Sequence, residues 1–413
     1  MSMPDTDIDL RELEVSERQR WSDGPPHELF AQLRQQCPVH WSPKISEYPG
    51  EAGYWSVTAA EDVRTVSRDW ETFSSERGGV AGLSETVIPL ELARLMFVAM
   101  DPPKHDRIKA LFQAGFTPKR IADHEQEIRA LVVATLDALD GREECDLVTE
   151  LAEPVVSRVM GRFLGTSPEE DAIWGRLTNA MLGAANPDVN PEGPKIVMER
   201  DMPELFARCA KLIAERRERP RDDLTSVLVH AEIDGERLEE GEIIMGFLVL
   251  LTAGYDSTKA TFCSGMRALI EHPDQRELVL ADHSLIPSLI EETLRMFPPA
   301  THFRRTATRD TELGGCPIRE GEKVIMWYVS SNRDETRYED PERFDVTRNP
   351  EHDAFGAGGR HFCLGSSLAR LELRILFEET FARYPRMEAL GAPDRANSMW
   401  LNQLNTLHVR LNP

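Results

Sequence analysis

The sequence predicts a mainly α-helical protein with a minor β portion, and three observations carry that expectation. Residues 120–139 and 204–219 hold apolar side chains at three- and four-residue spacing, with charges on the opposite face. The most apolar stretch, 243–253, is about half the ~20 residues a membrane-spanning helix needs, so it reads as a buried core helix. Two short regions, 39–57 and 302–329, shift towards a period of two.

The elements follow in order. Residues 1–37 form an acidic, helix-forming arm that ends near Cys37-Pro38. Val39-His40-Trp41 and 53–57 are short strands around a Pro/Gly turn. From about Pro102 long helices dominate. The segment 218–224 ends one of them, and Asp223 or Thr225 is placed to cap the next. Ile233-Asp234-Gly235-Glu236 is a turn. The 243–270 run is interrupted by Gly246, by Ala253-Gly254-Tyr255-Asp256-Ser257 and by Ser264-Gly265. A helix at 285–297 stops at Pro298-Pro299. Gly314-Gly315 and Glu320-Gly321 turn the strands of 302–329, and a Gly-rich loop at 355–360 precedes a last helix from 364 to about 384. No repeat or linker divides the chain, so 1–413 is read as one domain, with 38–75 and 302–329 its β-rich parts.

Composition narrows the function. With 41% hydrophobic and 29% charged residues the chain has material for a sizeable core. Lys+Arg is 48 and Asp+Glu is 71, so the formal charge is −23. That balance argues against non-specific binding to nucleic acid or an anionic membrane. The N-terminus has neither the basic start nor the apolar run of a signal peptide. Six scattered cysteines without a CxxC pair suggest free thiols in a reducing cytoplasm.

One cysteine differs from the other five. Cys363 ends the loop Phe355-Gly356-Ala357-Gly358-Gly359-Arg360-His361-Phe362, and Leu364, Leu368, Leu371 and Ile375 then follow at helical spacing. Glycines let such a backbone pass close to a planar body. A sulfur at a helix start faces unpaired N–H groups that favour the thiolate, a soft axial ligand for iron. A buried structural cysteine is the ordinary alternative for a lone thiol, and this loop composition turns the balance against it.

The segment 355–365 resembles the haem-binding signature of cytochromes P-450. Its Phe lies eight residues before the Cys, where seven is usual, and the longer loop resembles a bacterial subgroup that includes sterol and branched-lipid hydroxylases. Further motifs are similar in the same order. Glu292-Thr293-Leu294-Arg295 resembles the family's ExxR, in which acid and guanidinium share one helix face. Pro341-Glu342-Arg343-Phe344 resembles the segment whose Arg joins that pair as a buried triad. Ala253-Gly254-Tyr255-Asp256-Ser257-Thr258 resembles the oxygen-activation motif, with Ser257 at the usual Thr, and implies a locally opened helix. The set 100–109 resembles a DPPxHxRxR helix start with Lys109 in place of Arg.

What the resemblance implies is concrete. The fold would be a triangular prism of about a dozen helices plus small sheets. The activity would be a soluble, cytoplasmic haem monooxygenase that activates O2 and hydroxylates a hydrophobic small molecule such as a sterol, terpenoid or aromatic. The cofactor would be haem b, with Cys363 its axial ligand and Phe355, Gly356, Gly365, Ala253 and Gly254 against it. His105, Lys109, Arg305 and His361 would meet its carboxylates. Asp256, Ser257 and Thr258 would deliver protons. The pocket would be lined from 80–100, 181–197, 249–253, 299–303 and 400–403. No dinucleotide fingerprint appears, so electrons would come from a separate iron–sulfur ferredoxin and its reductase. Arg107, Lys109, Lys119, Arg120, Arg360 and Arg370 would steer that ferredoxin to the Cys side. A peroxide-driven haem enzyme, or a haem-binding sensor without turnover, are the alternatives on the same scaffold.

Overall fold

The computed structural model describes residues 10–80, 83, 90–184 and 190–412. Helices dominate it, and the two β-rich parts of the sequence meet in one five-stranded sheet. The strand order is Val39–Ser42, Tyr54–Val57, Lys323–Trp327, His302–Ala307, Phe73–Ser74. Only the Tyr54–Val57 and Lys323–Trp327 pair runs parallel, with Lys323 opposite Tyr54 and Met326 opposite Val57. The 311–318 hairpin turns through Gly314 and Gly315, both at positive φ.

The helical body is built around Glu240–Glu271. Glu239 and Glu242 close a capping box at its start, which satisfies N–H groups that the first turn leaves free. Asp223 caps Leu224–His230 by accepting from the Ser226 N–H, as the sequence suggested. The long helix packs against Glu153–Leu164, Ile286–Met296 and Ser366–Arg383. Phe262 and Phe377 meet there with ring centroids 5.1 Å apart. Gly265 permits that approach, because a Cβ on it would lie 2.7 Å from the Phe377 ring.

The arm is part of the fold from Leu10 onward. Trp21 stacks on Trp327 at 5.4 Å and touches Phe30, and its indole N–H donates to Val15 O at 2.9 Å. Burying each such ring contributes about 1.5–3 kcal/mol. The Ser16 N–H donates to the Tyr54 hydroxyl at 2.7 Å and the buried Glu14 accepts from the Ser46 N–H at 2.7 Å, so polar bonds strap the arm to the sheet and its first loop as well. Among the described residues no helix is long and apolar enough to cross a membrane.

Candidate haem-thiolate site

The loop before Ser366–Arg383 is braced from several sides. The Cys363 N–H donates to Phe355 O at 2.8 Å, closing the loop on itself. Ser67 Oγ donates to Gly358 O at 2.8 Å, and a Cβ on Gly359 would lie 2.8 Å from Ser67 O. Gly359 has φ +83° and sits against the Ala60–Arg68 helix, so only glycine fits there. Lys109 donates to Phe362 O at 2.8 Å and also to Arg360 O. Arg370 forks onto Glu291 at 2.6 and 2.7 Å while lying over the Phe355 ring. Burial alone would raise Glu291, but Arg370 and His352 overcome it and hold the carboxyl down at about 2.

Cys363 has no disulfide partner and stands at the wall of a cavity of about 1230 Å³. Burial pushes its thiol up; the Gly365 N–H, the Lys109 and Arg370 cations and the Ser366 N–H oppose that. Those donors sit where a thiolate would need them.

Beneath the loop, Glu292 and Arg295 are fully buried and make a two-pronged pair at 2.7 and 2.8 Å. Arg295 also donates to the carbonyls of Asn332, Pro341 and Arg343, and lies over the Tyr338 ring. The expected third member is corrected here. Arg343 contributes its carbonyl, while its side chain is 62% exposed and points to Asp345 at 3.9 Å. The guanidinium that reaches Glu292 is Arg348, with Nε 3.4 Å from Oε1. It lies five residues further on, in Phe344-Asp345-Val346-Thr347-Arg348, and the chain turns it back by bonding Arg348 to Glu339 O and Asp340 O.

Across the cavity, the Ala253–Thr258 segment faces Cys363 from the long helix. That helix continues unbroken through the segment, which corrects the expected local opening. Its hydroxyls cap no break and instead bond back to carbonyls one turn earlier: Thr252 to Leu248, Ser257 to Ala253 at 2.7 Å, and Thr261 to Ser257. Ala253 is exposed to the cavity, and Thr258 is buried at its wall. Asp256 is buried and ion-paired to Lys259 at 2.6 Å.

The four carboxylate-binding candidates divide. Arg305 is buried at the wall, and among the described residues it faces no carboxylate within ion-pair distance. Burial lowers it, which leaves room for an anion. His105 and His361 have ring centroids 4.2 Å apart beside it. His361 is held well below the usual imidazole range by burial and by Arg305, so it is neutral and bonds Ser75 at 3.2 Å. Lys109 also borders the cavity, but its ammonium is engaged by the loop carbonyls and so acts as a brace.

A planar iron porphyrin fits this set. The Cys363 sulfur, Ala253 and Gly254 line the cavity, and at its wall the buried Arg305, with no carboxylate within ion-pair distance among the described residues, is placed for an acid group. The rest of the lining is mostly apolar and rich in methionine, with Met96, Met160, Met181, Met198, Met202 and Met399. Of the expected pocket walls, 81–82, 84–89 and 185–189 lie outside the described residues. Three residues here escaped the sequence reading. Arg348 was five positions past the residue chosen, and Lys259 is a cation inside the most apolar run, three after the acid. Glu372 is an acid on the apolar helix after Cys363; it borders the cavity and accepts no hydrogen bond among the described residues. Burial pushes it up to about 8.

Comparison with known proteins agrees with this geometry. The Cytochrome P450 family model matches residues 197–388. A protein named "Putative cytochrome P450 126", from Mycobacterium tuberculosis, is 36% identical over 91% of both chains. The methyl-branched lipid omega-hydroxylase of the same species is 34% identical, covering 98% of this chain and 96% of its own. Among solved structures, a Mycobacterium marinum cytochrome P450 in complex with pseudoionone superposes with TM-score 0.89 at 35% identity, covering 96% of this chain and 98% of that one.

Proposed function

The chain belongs to the cytochrome P450 family of haem monooxygenases, and we propose that it hydroxylates a medium to large, flexible hydrophobic molecule of the lipid, sterol or terpenoid kind. The observation that carries this reading is the Cys363 sulfur at the wall of an apolar cavity, opposite the hydroxyl- and acid-bearing turn of the long helix. The relatives' names support the substrate class: one acts on a methyl-branched lipid, and another is held with pseudoionone.

The whole of 1–413 works as one domain around haem b. When bound, the haem iron supplies the activation of O2. Cys363 would bind as the thiolate; burial works against that form, and the Gly365 and Ser366 N–H groups and the nearby cations favour it. Arg305 and the neutral His105–His361 pair would hold the haem carboxylates. Ser257 and Thr258 hold a proton at the cavity wall, and Asp256 replaces it. The methionines mould to the substrate and keep water out.

Electrons come from a ferredoxin docking on the Cys side, in a cytoplasm that keeps the free thiols reduced. The cations expected to steer it are mostly committed: Arg107 to Glu242, Arg120 to Asp222, Arg360 to Asp106 and Arg370 to Glu291. Steering then rests on the exposed Arg68 beside the loop and on Lys119, which is 89% exposed and only loosely paired to Asp123 at 3.9 Å, with the paired cations as background and the exposed Phe362 as an apolar contact.

The test is a panel of branched lipids, sterols and terpenoids given to the holoprotein with a surrogate ferredoxin and reductase. A ligand that shifts the haem spectrum and yields hydroxylated product as NADH is consumed supports the reading. Product from peroxide alone would establish the peroxide-driven alternative, and binding without turnover would leave a sensor.

A further inference from the structure

The turn opposite Cys363 contains a charge that the reaction as described does not use. Lys259 is 8% exposed, and its ammonium lies 2.6 Å from Asp256 Oδ1 on the same helix face. The opposite side of that ammonium faces Glu153 Oε2 at 3.9 Å, on the Glu153–Leu164 helix. Tyr255 ties the cluster together: its hydroxyl donates to Glu153 Oε1 at 3.0 Å, and Lys259 lies 5.3 Å from its ring centroid. Asp256, Lys259 and Glu153 all border the cavity, which Glu372 enters from the terminal helix.

A buried lysine is costly unless paired, and an unpaired buried carboxylate takes up a proton instead. Neither residue is stable alone in this wall. Glu153 is the partly exposed member, at 32%, so it supplies the solvent side of the cluster.

We propose that Lys259 is a positioning residue for Asp256: anchored by Glu153 and Tyr255, it keeps the Asp256 carboxylate ionised and aimed along the helix between turnovers. Asp256 then takes a proton only when one is drawn inward, and it returns to the lysine afterwards. The proton comes from solvent past the partly exposed Glu153; the O–H bond formed on Asp256 breaks as that proton passes to the Ser257 and Thr258 hydroxyls, which give up their own proton to the cavity, so the cluster ends each cycle unchanged. This rests on Asp256 being the proton-delivering acid, as proposed above.

The experiment compares the parent holoenzyme with Lys259→Gln, Lys259→Arg and Asp256→Asn. Infrared spectra of the resting holoprotein report carboxyl protonation without turnover, and the Asp256→Asn protein assigns the band. Lys259→Gln is expected to show at neutral pH a protonated-carboxyl band that the parent lacks and that disappears when Asp256→Asn is added. It should also lose roughly tenfold in product formation, against about a hundredfold for Asp256→Asn, with more of the electron flow lost as peroxide. Lys259→Arg should restore both the spectrum and most of the rate. A Lys259→Gln protein with the parent's infrared spectrum and pH profile, while Asp256→Asn remains slow, would overturn the role of Lys259. If Asp256→Asn itself turns over at the parent rate, the acid role of Asp256 fails instead.

Discussion

The Cys side of the site and its cavity side are built on opposite principles. Around Cys363 nearly every charge is answered: Arg370 by Glu291, Arg295 by Glu292, Arg360 by Asp106, and Lys109 by two carbonyls of the loop. On the cavity side two buried charges go unanswered within a mostly apolar lining. Arg305 lacks a carboxylate and Glu372 accepts no hydrogen bond among the described residues, while methionine and aliphatic side chains supply much of the surface around them. The first arrangement fixes one geometry for a ligand atom. The second leaves room for a cofactor's acid group and for substrates of varied shape.

That contrast sets the order of expected effects. The largest is on the Cys side: Glu292→Ala or Arg295→Ala strands the partner's charge in a fully buried site, at about 3–5 kcal/mol. Both variants should give little folded holoprotein, read as yield and haem content. Normal yield from both would mean that this pair contributes no more than a surface bridge.

The two sides should also respond oppositely to pH. Glu291 is held down near 2, so its contribution is complete above its ordinary 4.5 and fades as the pH falls towards 2. Glu372 is raised from 4.5 to about 8, so its cost is absent in mild acid and grows as the pH rises through that interval. Glu372→Gln should therefore raise stability by a few kcal/mol at pH 9 and change little at pH 5, by denaturant melts of the holoprotein. No gain at pH 9 would show that Glu372 is partnered when the haem is bound.

The smaller effect sharpens the assignment within the Cys side. Arg348→Ala should cost about 1.5–3 kcal/mol, because a charged contact to Glu292 and two carbonyl bonds are lost together. Arg343→Ala should stay within about 0.5 kcal/mol, since that side chain is largely exposed. The reverse order in thermal melts would restore Arg343 to the triad.

The same contrast explains what was legible beforehand. Cys363, the ExxR pair and the Asp223 cap are local in sequence, so spacing alone put their partners on one face or one turn. Arg343 and Arg348 are near each other but some fifty residues past the pair, and only the path of the 338–348 backbone decides which side chain turns inward. The cavity wall is harder still. Met96, Met160, Met202 and Met399 come from four separate segments, and nothing in their spacing announces a shared surface. The continuity of the long helix was equally hidden, because Ser and Thr either cap a break or bond back to the preceding turn, and packing chooses between them. The arm was legible as helix-forming but not as a strap, which depends on Trp21 finding Trp327 some three hundred residues away.

The most direct test of the central claim is the spectrum of the reduced protein under carbon monoxide. The parent should show the red-shifted Soret band of thiolate ligation. Cys363→Ala should lose that band, while His361→Ala, which alters only a neutral imidazole beside the rim, should keep it. A thiolate-type band that persists in Cys363→Ala would contradict the account at its root.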